Sequence, residues 1–174
     1  MSKIGNKTVD YSVYGEINGK LTYLDDTTSL QLPSFEMISD TIKGSGIMGE
    51  IDWPSYLGVG SAQFTFNMRV DEVKSAYLSA PGKKRFEVRW VTDKFDTSGV
   101  NIGIDSHKVV IIGVSKKYDP GKVEVNAASD GSNDYEVLYY KKTVNGKEVV
   151  EIDKLNYIYR VNGVDYGKNV KSAL

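Results

Sequence analysis

Three Asn-Gly pairs, Asn18-Gly19, Asn145-Gly146 and Asn162-Gly163, constrain this chain more than any other feature. Asn and Gly tolerate the positive φ that a two-residue type I′ turn demands, and such turns join antiparallel neighbours. Around the first pair, apolar and polar residues alternate on both sides, so Tyr11 to Ile17 and Lys20 to Leu24 form a hairpin. The second pair joins two long strands, Tyr135 to Val144 and Lys147 to Val161. Along the latter, the Val150/Ile152 face gives way to Leu155/Tyr157/Tyr159 on the opposite parity. A β-bulge near Asp153-Lys154 is expected to reconcile the two. The third pair marks a turn before a short tail.

The rest of the chain reads the same way. Leu30-Gln31-Leu32 is a strand closed by Pro33, which cannot donate to a ladder. From Ala62 to Arg69 the alternation is unbroken, with Ala62, Phe64, Phe66 and Met68 on one face. Asp71 is the N-cap candidate for a helix over Val73–Leu78, in which Val73, Ala76 and Tyr77 share a face; Pro81-Gly82 ends it. Arg85 to Thr92 alternates again with Phe86, Val88 and Trp90 inward. Val109 to Val114 is apolar on both sides, as in a strand covered on two faces, and Tyr118 to Asn133 is an exposed excursion. About eight strands and one helix result. Tyrosine supplies 12 of the 19 aromatics, in keeping with pleated, half-buried surfaces. The expected architecture is mainly β, an antiparallel β-barrel or sandwich with one flanking α-helix and long excursions. A length of 174 residues fits one domain, 1–174.

Composition excludes several chemistries. The chain has no cysteine and one histidine, His107, which removes thiolate catalysis, cysteine metal sites and any multi-histidine site within one chain. A net charge of −1 argues against a duplex-DNA binder. The longest apolar run, Val109 to Ile112, is far too short to span a bilayer, and the N-terminus lacks a signal-peptide core. A soluble intracellular product without stable membrane association is expected. No cofactor is implied.

Each candidate site has a structural explanation. Gly44-Ser45-Gly46-Ile47-Met48-Gly49 matches G-x-G-x-x-G, but Pro54 follows and the surroundings are β–β rather than βαβ, which a dinucleotide site requires. Asp105, Ser106 and His107 are adjacent on a strand and alternate faces, so they cannot form a proton relay. Glu148, Glu151 and Asp153 lie among lysines, which favours cross-strand charge pairing over acid–base work. Residues 130–134 resemble part of a calcium loop without its later bidentate Glu. The tyrosines at 139, 140, 157 and 159 suit a core or a subunit contact. No catalytic constellation emerges, and an enzyme is not expected.

Residues 41–60 break the pattern, with five glycines, Pro54 and no sustained period. The stretch is either disordered or an excursion that another chain orders. Its apolar content is too great for a solvated linker. Ile47, Met48, Ile51, Trp53, Tyr56 and Leu57 are therefore candidate subunit-interface residues, the alternative being a lid over the chain's own core.

Residues 139–153 (YYKKTVNGKEVVEID) and 161–165 (VNGVD) resemble the carboxy-terminal signature of the major tail tube proteins of contractile-tailed phages and R-type bacteriocins. Ile17-Asn18-Gly19, Leu32-Pro33 and the glycine motif at 44–49 agree with that family in order and spacing, while 93–133 carry little of it. The resemblance implies hexameric rings stacked into the hollow inner tube of a contractile tail. It also implies as partners a sheath protein, a baseplate or tube initiator and a tape-measure protein, with DNA passing through the lumen in a phage. Location in a virion tail or bacteriocin particle follows, after synthesis in the bacterial cytoplasm. A β-barrel carbohydrate- or ligand-binding module is the competing expectation.

Overall fold

In the computed structural model, which describes residues 2–174, one strand has neighbours on both edges and divides one of them between two partners. Strand β9 (Gly131–Val144) pairs along one side with β8 (Asn101–Asp119). On its other side, residues 131–136 pair with β6 (Gln63–Met68), and residues 139–144 pair with β10 (Lys147–Asp153). The sheet therefore forks. One branch runs from β6 to β3 (Thr27–Gln31). The other continues through β10 to β11 (Ile158–Val161) and β12 (Val164–Asp165). Beyond β8 lie β7 (Lys83–Asp96), β1 (Lys3–Ile17) and β2 (Lys20–Tyr23), all antiparallel. A separate two-stranded sheet is made by β4 (Met37–Lys43) and β5 (Glu50–Val59).

The forked sheet rolls around an apolar core. Phe64, Phe66 and Met68 of β6 face Phe86 and Val88 of β7, Val109 and Ile111 of β8, and Tyr135 and Val137 of β9. The alternating residues of 62–69 are buried as the sequence requires. Tyr135 is fully buried, its ring 4.6 Å from Phe86 and 5.9 Å from Phe66. Its hydroxyl donates to the Leu78 carbonyl at 3.1 Å and accepts from Asn133 Nδ2 at 3.2 Å. Burial pushes this phenol far above its ordinary pKa, so it remains a neutral donor. Tyr11 Oη of β1 donates to the Thr27 carbonyl of β3 at 3.0 Å, drawing the two ends of the roll together. Among the described residues no backbone ladder joins them, so the roll stays open along this seam.

Helix α1 (Val73–Leu78) caps the roll, but with a different face from that expected. Ser75 and Leu78 are buried, whereas Val73 is 87% exposed and Ala76 and Tyr77 face solvent. Leu78 fits because residue 15 is glycine; a Cβ there would lie 2.9 Å from Leu78 Cδ1. The N-cap is Glu72 rather than Asp71, paired with Ser75 in a capping box.

Three further expectations change. Among the described residues there are twelve strands, because 37–59 adds two, 147–161 divides into β10 and β11, and β12 follows the third turn. The parity switch after Asp153 is a chain reversal between β10 and β11, not a bulge. Asp153 Oδ1 accepts from the N–H groups of Leu155 and Asn156 at 3.0 and 3.1 Å, and Tyr157 takes φ +55°; this aspartate-built turn replaces a continuous strand. The irregularity in the β9–β10 ladder lies instead between Glu148 and Val150. A second helix, α2 (Lys168–Ala173), ends the chain. No helix among the described residues is long and apolar enough to cross a membrane.

Asn145 (φ 49°) and Gly146 (φ 79°) form the β9–β10 turn as read. Valine at 146 must adopt the left-handed region, at a cost of about 1–2 kcal/mol or more for a β-branched residue. Gly146→Val is expected to lower the thermal midpoint of the free subunit by several degrees. An unchanged midpoint contradicts this turn geometry.

Candidate functional site

Residues 41–60 are not a structureless excursion. They form most of the β4–β5 hairpin. Register pairs Ile42 with Ile51 and Asp40 with Trp53, and directly opposed residues of an antiparallel pair share a face. Ile38, Asp40, Ile42, Ile51 and Trp53 thus make one face, on which Asp40 is the sole polar side chain. The reverse carries Thr41 opposite Asp52 and Lys43 opposite Glu50, with Lys43 Nζ 3.5 Å from the Glu50 carboxylate. Ile38 and Trp53 are 58% and 61% exposed, and none of the apolar-face residues joins the core cluster. The glycine motif is the turn: Gly44, Gly46 and Gly49 all have positive φ, and Ile47 N–H donates to the Gly44 carbonyl.

The six residues singled out in this segment fall into three settings. Ile51 and Trp53 lie on the apolar face. Ile47 and Met48 sit at the tip, half-buried and fully exposed respectively. Tyr56 and Leu57 belong to the base, where the hairpin meets the far branch of the sheet. Tyr56 Oη donates to the Tyr166 carbonyl at 2.7 Å. Leu57, at φ +59°, lines a cleft with Val59, Ile152, Tyr157 and Tyr159. Lys154 Nζ donates to the Gly60 carbonyl at 2.9 Å beneath it. The base is anchored and the face beyond it is bare.

The other candidates hold the fold together. Glu151 accepts from Arg160 at 2.5 Å and from the Tyr139 hydroxyl at 3.0 Å, and Glu148 pairs with Lys141 and Arg160, each at 3.3 Å. Partial burial would raise the Glu148 carboxyl, but hydrogen bonding with Glu151, Lys141 and Arg160 outweighs it and holds the group below its ordinary pKa. Glu148 with Lys141 is a cross-strand pair of the kind the sequence suggested, whereas Glu151 turns to Arg160 and Asp153 builds the turn after β10. Asp105 binds Lys94 (2.6 Å) and Asn145, Ser106 binds Asn145, and His107 stacks on Trp90 with centroids 5.0 Å apart. Burial and the Lys142 ammonium hold that imidazole below its ordinary pKa. Asp134 accepts from Thr65 Oγ1, and among the described residues no group of three or more His, Cys, Asp or Glu is arranged to hold a metal. Tyr140 is buried against Phe35 at 5.0 Å.

This combination of a rolled antiparallel sheet, side chains committed to structure, and a bare apolar hairpin agrees with comparison to known proteins. The family model of phage tail tube protein FII matches residues 11–174. The chain belongs to that family. The tail tube protein of Escherichia phage P2 is 27% identical over 154 residues, covering 86% of each chain. The fold resembles the sheath/tube terminator of an extracellular contractile injection system, PVC, in its extended state. That likeness has a TM-score of 0.52 at 10% identity, covering 78% of this chain and 94% of the other. This tail tube protein is a structural component of a tail tube, not an enzyme.

The tail tube protein also has a second projection, which apolar periodicity did not reveal. Residues 3–10 of β1, 91–96 of β7 and 101–106 of β8 continue past the core as a three-stranded arm. Ile4 opposes Phe95 and Asp93 opposes Ile104, so these four share a face, with Ile4 and Ile104 41% and 59% exposed. The Asp93 carboxylate accepts from Lys7 N–H (3.0 Å) and Asn6 Nδ2 (3.1 Å), both in the β1 irregularity. On the opposite face, Thr92, Lys94 and Asp105 are polar, which hides the arm from a search for alternating apolar residues. The available signal was the exposed Ile4, Val9, Val100 and Ile104 in otherwise polar sequence.

Asn145 fastens the base of this arm. Its Oδ1 accepts from Ser106 N–H, and its Nδ2 donates to Asp105 Oδ1, both at 2.9 Å. Asn145→Asp replaces that donor by a carboxylate facing Asp105, a like-charge contact. Amide hydrogen exchange at 101–106 is expected to accelerate in the variant while the β6–β9 core retains its protection. Unchanged exchange in the arm contradicts the tether.

Proposed function

We propose that this tail tube protein acts as a single domain that forms hexameric rings stacking into the hollow tube, with the β4–β5 hairpin as the chief assembly contact. The observation that carries this reading is the bare apolar face of Ile38, Ile42, Ile51 and Trp53. A two-stranded hairpin is marginal by itself in water and needs a covering surface for its apolar side. An exposed patch of this kind marks an interface. Trp53 has the bulk of an interface anchor, and Met48 at the tip can adapt to a neighbour's surface. Ring symmetry also satisfies sheet edges that a lone subunit leaves open. The hexameric count and the partners (sheath, baseplate or initiator, tape measure, and DNA in a phage) rest on the resemblance of 139–165 to contractile tail tubes. The committed chemistry of every titratable cluster supports a conduit rather than a catalyst.

Ordering the hairpin on a neighbour offers control over when rings stack. Fixing each backbone residue costs about 1–2 kcal/mol, so contact at one point is insufficient and the whole face must engage. Trp53→Ala removes the largest anchor without touching the core. It is expected to leave the subunit's thermal midpoint within a degree or two and to abolish or sharply shorten tubes seen by negative-stain microscopy, consistent with a loss of about 2 kcal/mol or more per contact. Tubes of normal length and yield from Trp53→Ala contradict this role for the hairpin.

A further inference from the structure

We propose that the apolar face of the β4–β5 hairpin in one copy packs on the apolar face of the β1/β7/β8 arm in a neighbouring copy. This deepens, and rests on, the tube reading above. Each chain carries two uncovered amphipathic β surfaces. The hairpin presents Ile38, Ile42, Ile51 and Trp53 beside polar Thr41, Lys43, Glu50 and Asp52 on its reverse. The arm presents Ile4, Phe95 and Ile104 beside polar Thr92, Lys94 and Asp105 on its reverse. Two such sheets can stack face to face about 10 Å apart, with apolar rows inside and polar rows out.

Within one chain the two surfaces are carried by different branches of the sheet. The hairpin is anchored through Tyr56 and Gly60 to the β10–β12 branch, by Tyr166 and Lys154. The arm extends from β1, β7 and β8 on the other side of β9 in the strand order. Two complementary patches at different places on one molecule give a heterologous contact, which propagates from copy to copy instead of ending at a dimer. That is the kind of contact a tube of identical subunits requires. Asp93 enters the contact already paired with Lys7 N–H and Asn6 Nδ2, while Asp40 accepts from Thr41 N–H at 2.9 Å through one oxygen. A second copy of this chain is the occupant to which these observations point.

The chain contains no cysteine, so introduced thiols report without background. Ile51→Cys and Ile104→Cys are combined in one chain, assembled into tubes, and treated with a short bifunctional maleimide. The expected product is a ladder of covalent multimers from tubes and none from dilute free subunits. Thr41→Cys combined with Ile104→Cys, which places the thiol on the hairpin's polar reverse, is expected to give none. As a second readout, Ile104→Cys alone is mixed as a minor fraction into wild-type subunits, so that assembly does not depend on the variant. Its thiol is expected to react with a maleimide dye in free protein and to be protected at least tenfold in tubes. Tubes in which the Ile51/Ile104 pair stays monomeric and Ile104→Cys labels at its free rate overturn the proposal while leaving the tube reading intact. They would mean that the arm faces another occupant, such as a sheath subunit. A ladder through Thr41→Cys instead overturns the choice of face. Wild-type protein that forms no tubes under any condition contradicts the tube reading itself.

Discussion

The divided edge of β9 is the constraint from which the rest of this molecule follows. Because β6 occupies its first half and β10 its second, the sheet cannot continue as a flat ribbon. The β6–β3 branch rolls over Phe86, Val109 and Tyr135 to make the core, while the β10–β12 branch carries on outward and supports the hairpin base. Gly113, opposite the point where β9 changes partners, makes this possible. A Cβ there would lie 2.7 Å from the Glu136 carbonyl, a distance that real side chains do not tolerate. The fork thus rests on close backbone approach at one glycine and on the aromatic cluster packed beneath it.

The ion pairs on the outside of the sheet have a role that catalysis does not explain. Glu87 on β7 is nearly inaccessible, with Arg85 and Lys108 at 3.5 and 3.3 Å and Arg89 hydrogen-bonded to it. Burial would raise its carboxyl, but Arg89 and Lys108 hold it below the ordinary value. A depressed carboxylate stabilises the fold above its unfolded pKa, and the contribution fades as pH falls through the folded value. Glu148 and Glu151 with Arg160 repeat the arrangement farther along the same face. Such rows bind neighbouring strands across a partly exposed surface. The hairpin and the arm are two of the places where apolar side chains are exposed instead.

Much of this was legible in the sequence. The alternation at 62–69 gave four buried residues, and Asn145-Gly146 gave its turn, because both signals are local and strictly periodic. The helix face was misread because six residues sample the 3.6-residue period less than twice, so Leu78 over Gly15 outweighed Val73, Ala76 and Tyr77. The turn at Asp153–Tyr157 was read as a bulge because a parity change looks the same for both. The apolar content of 41–60 was visible, but its pairing was not, since Asp40 interrupts the apolar row of Ile38 and Ile42 and Pro54 interrupts the opposing strand. Leu57 looked like interface and is partly taken up by the cleft beside Ile152. The arm went unseen because the residues that continue the parity of Trp90, namely Thr92, Lys94 and the facing Asp105, are polar.

Hydrogen–deuterium exchange across residues 37–59, compared between free subunits and assembled tubes, addresses most directly whether the hairpin is a surface completed only by a neighbour. Its ladder is two strands wide and its apolar face is bare, so amides there should exchange rapidly in the free protein, while Phe64 to Phe66 and Tyr135 to Val137 stay protected. In tubes the same hairpin amides should slow by at least a hundredfold. Equal exchange of residues 37–59 in both states, in samples where tubes are plainly present, would contradict the role assigned to the hairpin.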